Sequence, residues 1–419
     1  MVVAPKLEVW RAQARQTESG GGQNSAYGVT AALQSPSASS PRPPARAPRV
    51  PACVFIAAFG VGSVVVAQDL GIREYKPKST LVVAEHPVPR AKYPVIDIHS
   101  HHYGLTAERW TGVVTEMDAL NLRILVNLSG GTGATLRRNL EVVRSSPAPT
   151  RMVQFANLDF SDLNEPGYGA RAAARLEADV KAGAKGLKIF KDFGMTVKRR
   201  TGERVHVDDP EFDDVFETCA RLDIPVLIHT GEPASFFEPV DPHNERWLEL
   251  QVHPERRRPP SEFPSFEALV AERNHLFAAH PHTRFIAAHF GFHANDLARL
   301  GRLLDQRSNV YTETGAILAE LGRQPRTARA FFVKYQDRIL FGKDMYVASE
   351  YPCYWRTFET TDEYFDYYRD YHAFWKLYGL DLPDIVLRKV YYGNALKVVH
   401  GLSAGDFPPV TESGTGGGS

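Results

Sequence analysis

Val95-Ile96-Asp97-Ile98-His99-Ser100-His101-His102 is an apolar, β-branched run that ends in a cluster of histidines. Successive side chains of a strand point to opposite faces, so His99 and His101 leave on one face and His102 on the other. Two imidazoles two residues apart can supply half of the ligand shell of a divalent cation such as zinc, which takes neutral nitrogen donors at about 2.0 to 2.1 Å. Solvated turn histidines or hydrogen-bonded core imidazoles would give the same pattern, so the stretch acquires meaning only if further donors arrive elsewhere.

Outward from this stretch, short β-branched runs recur at 93–99, 123–128, 152–158, 185–190, 224–229, 284–289, 308–313 and 338–341. Segments of helical period separate them. Asp208-Asp209-Pro210-Glu211 supplies a cap, a proline at the first helical position and an acidic first turn, after which Phe212, Val215, Phe216 and Leu222 keep to one face. Segments 295–304 and 327–335 behave alike. Strands that alternate with helices pair in parallel, and eight such units predict an α/β fold, a closed (β/α)8 TIM barrel over residues 93–402. An open doubly wound sheet is the alternative, but no Gly-rich phosphate loop follows any strand. Two connections, 231–262 after the fifth strand and 345–379 after the eighth, are too long for simple turns and fall on the face where a barrel keeps its active site. In the second, Tyr364, Phe365, Tyr368 and Phe374 have a spacing that predicts the buried side of an extra helix.

With 419 residues, 43% hydrophobic and 23% charged, the chain can bury a large core as one big domain or two ordinary ones. Lys plus Arg and Asp plus Glu both number 49, which leaves no net charge to draw the protein onto nucleic acid or an anionic membrane, so the expected partner is a small-molecule substrate. The three cysteines, Cys53, Cys219 and Cys353, lack CxxC spacing and support neither a thiolate metal site nor a disulfide framework.

Residues 1–50 are rich in Ser, Pro, Gly, Ala and Gln and cannot build a core. Arg46 and Arg49 then precede an apolar run, 50–67, followed by Gln68-Asp69, the order of a secretory signal peptide cleaved near Ala67. Residues 1–67 therefore read as leader plus signal peptide, and the mature protein as secreted or periplasmic; left unprocessed, it would be cytoplasmic. The basic region is long for a signal, which points to a start codon later than Met1. Two glycines and a short apolar core argue against a stable membrane anchor. Residues 68–92 read as a lead-in segment and 403–419 as a flexible tail.

Chemically capable residues stand where the strands end. His99 and His101 come from the first. Lys188, between apolar Leu187 and Ile189, points into the barrel from the fourth, His229 ends the fifth, His289 the sixth, and the eighth runs on to Asp344. Packing needs alone do not deliver five such strand ends to one mouth. Glu232, Phe236 and Glu238 follow His229 closely and are weaker candidates for the pocket wall, and Glu313 ends the seventh strand.

The motifs DIHSHH at 97–102, KGLKIF at 185–190, PVLIHTGEP at 225–233, FIAAHFG at 285–291, LFGKD at 340–344 and YYGNAL at 391–396 resemble the amidohydrolase superfamily, most closely the amidohydrolase-related branch that includes aminocarboxymuconate-semialdehyde decarboxylase. The resemblance spans residues 93–400. It implies a metal-dependent barrel in which His99, His101, His229 and Asp344 hold the catalytic metal and His289 acts on the substrate. Three imidazoles and a carboxylate would leave a divalent cation, Zn2+ by this ligand set, with an open position for water, whose pKa falls towards about 7. Asp344 would accept the water proton, and His289 would hydrogen-bond the substrate carbonyl or the oxyanion that forms. In two-metal members of the superfamily a lysine on the fourth strand is carboxylated and bridges the metals. One metal is therefore expected, or two if Lys188 is carboxylated; a cationic Lys188 would instead bind a substrate carboxylate. Glu232 and Phe236 are expected to line the substrate pocket. Lys343 departs from the small residue usual before the strand-eight aspartate, adding either a substrate-facing charge or an outward salt bridge.

Three functions follow: a metal-dependent hydrolase acting on an amide, ester or lactone of a small substrate, a non-oxidative carboxy-lyase of the same fold, or an exported metal-binding barrel without turnover. Exposed aromatics after the eighth strand would serve a homodimer.

Overall fold

Val95–His101 forms the first strand of a parallel barrel, β1, and all seven of its residues are buried. The computed structural model describes residues 70–372 and 374–411. The following strands are β2 (Leu122–Asn127), β3 (Met152–Gln154 and Ala156–Asn157), β4 (Leu187–Ile189), β5 (Val226–Ile228), β6 (Phe285–Ala287), β7 (Val310–Glu313) and β8 (Ile339–Leu340 and Asp344–Met345). Each of the eight expected runs holds a strand, generally shorter than its apolar stretch.

All the pairings between these strands are parallel and follow chain order. The ladder runs in two arcs that share β3 and β8, both of which are broken into two short pieces. The first piece of β3 pairs with β2 and the second with β4. Ile339–Leu340 pairs with β7, whereas Asp344–Met345 pairs with β1, with Asp344 opposite Ser100. The order is that of a (β/α)8 barrel.

The helices Ala107–Leu120, Gly133–Arg144, Tyr168–Ala182, Asp213–Arg221, Phe266–Ala279, Leu297–Gln306 and Pro325–Lys334 cover the strands. Their starts obey local chemistry. Thr106 accepts the Arg109 N–H, and Ser265 accepts that of Ala268, so each side chain satisfies one orphan donor of a first turn. The Asp209 cap predicted for the fourth helix is present, but it opens a 3-10 turn, Pro210–Phe212, one step ahead of the helix proper. Trp110, Met117, Phe212, Phe216, Leu300 and Phe332 are among the buried side chains between helices and sheet.

The loop after β5 carries a 3-10 turn, Ala234–Phe236, and a short helix, Trp247–Val252. The loop after β8 contains a helix, Tyr351–Glu359, but the aromatics expected on it lie elsewhere. Phe365 belongs to an antiparallel pair, Phe365–Asp366 with Lys376–Leu377, and Tyr364 and Phe374 are exposed beside it. The two loops meet in a buried polar knot in which Arg246 donates to Glu249 at 2.6 Å, contacts His372 Nε2 at 2.9 Å and pairs with Glu320. The lead-in segment lies against the same side, with Tyr75 edge-on to Phe374 and the His86 ring against Asp362.

The leader, signal peptide, Cys53 and alternative start lie outside the described residues, as does the tail beyond Thr411. Before it, Phe407 stacks on Tyr392 and Arg388 donates to the Thr411 carbonyl, so residues 403–411 are docked against the last helical segment. Among the described residues no helix is long and apolar enough to cross a membrane.

Candidate metal centre

The pleat of β1 brings His99 and His101 to one side, with their Nε2 atoms 3.3 Å apart. His102, on the other face, lies against Tyr346. Asp344 enters from β8, with Oδ1 3.5 Å from His99 Nε2 and 3.6 Å from His101 Nε2. One donor atom from each of these three residues lies within 4.8 Å of the others.

The remaining partners of each imidazole assign its tautomer. His99 Nδ1 is 2.9 Å from Glu313 Oε1, and a buried carboxylate accepts, so Nδ1 carries the proton and Nε2 the lone pair. His289 Nδ1 donates to the Gly315 carbonyl at 2.7 Å. Its Nε2 faces His229 Nδ1 at 3.3 Å. His229 Nε2 is buried and has no hydrogen-bond partner. Burial holds His99 and His229 well below the usual imidazole range and lowers His101 to about 3, so all three rings are neutral.

This pattern fits a cation. The lone pairs of His99 and the carboxylate of Asp344 approach each other with no proton assigned between them, and neutral imidazoles with an ionised carboxylate are the donor set of a divalent metal. His99, His101 and Asp344 form one group. His229 stands next to it through His289, with its Nε2 on the Glu232 side, and the structure does not bring it among these three donor atoms.

Lys188 points inward, as its flanks predicted. It is 1% exposed and its Nζ has no hydrogen-bond partner. Burial lowers its pKa to about 8, against the pull of Asp344 and Glu313. Its ammonium also stands 5.5 Å from the Phe190 ring centroid. Glu232 is buried beside His229, its Oε2 3.9 Å from His229 Nε2, and its Oε1 accepts from Lys191 and from Arg258 at 2.6 Å. Two cations thus keep this carboxylate ionised despite its burial. Lys191 accordingly turns towards the site rather than outward. Phe236 is buried, and its carbonyl accepts the Arg258 N–H at 2.8 Å. Of the two expectations for Lys343 the salt bridge forms: its side chain, 1% exposed, pairs with the part-exposed Glu350 and its Nζ donates to the Met345 carbonyl at 2.6 Å, so it offers no free charge to a substrate.

Three residues around the ligands matter more than the sequence indicated. Glu313 had been noted only as a strand end, yet it holds His99. Ser129 Oγ is 2.7 Å from His101 Nδ1, and its place just beyond β2 was the available signal. Asp97 accepts the His99 N–H at 2.9 Å, the Lys343 N–H at 3.2 Å and the Tyr351 hydroxyl at 2.6 Å, which ties β1 to β8 under the site; its burial raises the carboxyl pKa to about 7. A carboxylate two residues before a histidine on an apolar strand was the legible hint.

Comparison with solved structures finds weak likenesses that span nearly the whole of each neighbour. A putative amidohydrolase from Staphylococcus aureus is 16% identical with a TM-score of 0.47, covering 73% of this chain and 99% of its own. A 2,6-dihydroxybenzoate decarboxylase is 16% identical with a TM-score of 0.44 and the same coverages. A probable 2-pyrone-4,6-dicarboxylic acid hydrolase from Acinetobacter baumannii is 12% identical with a TM-score of 0.37, covering 73% and 98%. A search of curated proteins gives no match. The family model described as Amidohydrolase matches residues 136–400, a span that takes in Lys188, His229, His289 and Asp344 and begins after the β1 histidines. By that match, which extends over more than half of its length, the chain belongs to the amidohydrolase family.

Proposed function

We propose that the protein is a metal-dependent hydrolase that cleaves an amide, ester or lactone of a small carboxylated substrate. The observation that carries this reading is the convergence of His99 Nε2, His101 Nε2 and Asp344 Oδ1 within 4.8 Å, beside the buried unpartnered amine of Lys188. His99, His101, Asp344 and His229 would hold the cation. A divalent ion there supplies Lewis acidity and lowers the pKa of water towards about 7.

The chain's own groups supply the rest. Asp344 Oδ1 is placed to accept a proton and return it to a leaving group. His289, its Nδ1 fixed by the Gly315 carbonyl, turns Nε2 towards His229 and the centre, from where it orients the reacting carbonyl end of the substrate. Lys188, an ammonium below pH about 8, binds a substrate carboxylate in a site from which water is excluded. A site rich in proton acceptors suits the activation of water. The carboxy-lyase alternative must protonate carbon, and the ammonium of Lys188, with its pKa lowered to about 8, is a proton donor suited to that step.

The test is a panel of carboxylated lactones, esters, amides and aromatic acids, assayed with zinc-loaded protein in 18O-labelled water. Incorporation of one label into product, lost in Asp344→Asn, supports hydrolysis. Carbon dioxide release with no label in the organic product supports the lyase, and no turnover in any member while zinc is bound would favour a binding barrel.

A further inference from the structure

Glu313 closes β7 with its side chain fully buried. Its Oε1 lies 2.9 Å from His99 Nδ1 and accepts the His289 backbone N–H at 2.6 Å, while Oε2 accepts the Gly315 N–H at 2.5 Å. Every partner is a donor. The space around the carboxylate is kept by absence of side chains: a Cβ on Gly342 would fall 2.2 Å from Oε2 and 2.9 Å from His99 Cβ, and one on Gly315 would fall 2.8 Å from Oε2.

We infer that Glu313 is the positioning residue of the centre: one carboxylate fixes the tautomer of His99 and tethers the backbone that presents His289. Proton placement follows from geometry: both oxygens accept backbone N–H groups, and an accepting Oε1 obliges His99 to carry its hydrogen on Nδ1 and turn Nε2 towards His101 and Asp344. The same oxygen holds the first residue of a backbone turn in which His289, Phe290, Gly291 and Phe292 all have φ between 53° and 57°. His99, His289 and Glu313 also lie within 4.8 Å as a potential ligand group of their own. Oε1, however, is already engaged by two N–H donors at hydrogen-bonding distance, so it serves as an orienting acceptor. A glutamine cannot replace it, because the amide would set an NH2 against at least one of the three donors.

The inference rests on His99 being a metal ligand, and its test separates the two. Full-length wild type and Glu313→Gln are stripped with chelator, their metal-free thermal unfolding is compared, and zinc affinity is measured by competition with a chromophoric chelator. A loss of about 10- to 100-fold in zinc affinity at unchanged stoichiometry is expected. Binding within about twofold of wild type overturns the proposal. Histidine 15N spectra of metal-free wild type, with His99 identified by His99→Gln, provide a readout that needs no folded Glu313 variant. The Nδ1–H tautomer supports the role, and the Nε2–H tautomer overturns it. Should wild type take up no zinc, the metal-centre reading fails while the tautomer still decides on Glu313.

Discussion

The ends of β1 and β6 deliver histidines to the same centre by opposite means. In β1 the alternation of a regular strand is enough, and the His99 and His101 rings come to 5.2 Å between centroids. In β6 the strand stops at Ala287, and His289 arrives on a left-handed turn that no extended or helical pattern prescribes. Non-glycine residues in that region of backbone space cost about 1–2 kcal/mol each, so the turn must be held from outside. Glu313 holds its start, and Arg273, 1% exposed, donates to the Gly291 carbonyl at 2.8 Å. A side chain placed by a pleat depends on its neighbours in sequence; one placed by a strained turn depends on residues far along the chain.

The strongest way to break the comparison is at the carboxylate that faces both β1 histidines. Asp344→Asn removes a proton acceptor and a donor of the cation set at once, and kcat is expected to fall by about 10²–10⁴-fold, with a parallel loss of bound zinc read by elemental analysis. Arg273→Met tests the turn alone. It leaves the Gly291 carbonyl unpaired, which should cost about 1–3 kcal/mol in urea unfolding and lower kcat, while zinc affinity stays within about twofold because β1 is untouched. Ser129→Ala tests the other end: the expected outcome is a loss of about tenfold in zinc affinity with unfolding unchanged within about 0.5 kcal/mol.

The smallest effect concerns a side chain placed by neither end. Lys188 is charged below its lowered pKa of about 8 and neutral above it. Attraction for a substrate carboxylate is therefore present at lower pH and lost as pH rises through about 8. KM for a carboxylated substrate should be flat up to pH 7 and climb beyond 8, and Lys188→Met should raise KM and abolish that climb.

Alternation and burial were readable in the chain because both are local. The β-branched runs marked all eight strands, and the apolar flanks of Lys188 gave its direction. Glu313 could be seen to end a strand, but its partner His99 lies 214 residues away, and nothing in a linear order reports which strands become neighbours across a barrel. The β6 turn was hidden for another reason. Only Gly291 among its four residues hints at positive φ, and the other three adopt it because tertiary contacts oblige them to. The aromatics after β8 misled because spacings of three and four residues also occur in an irregular hairpin. There, Tyr364 has φ 56° and breaks any helix before it starts. For Lys343 the sequence left a substrate-facing charge and a salt bridge both open, because its partner, Glu350, sits in a loop whose path the sequence does not give.

The divided eighth strand carries one more implication. Asp344 pairs with β1 at the seam where the last strand meets the first, so the acidic donor takes its position only when the two extremities of the sheet have come together. A chain that has folded seven strands would own its imidazoles but not the group that completes them. Regain of catalysis after dilution from denaturant should thus coincide with the final step of refolding, and no partly assembled species should turn over substrate.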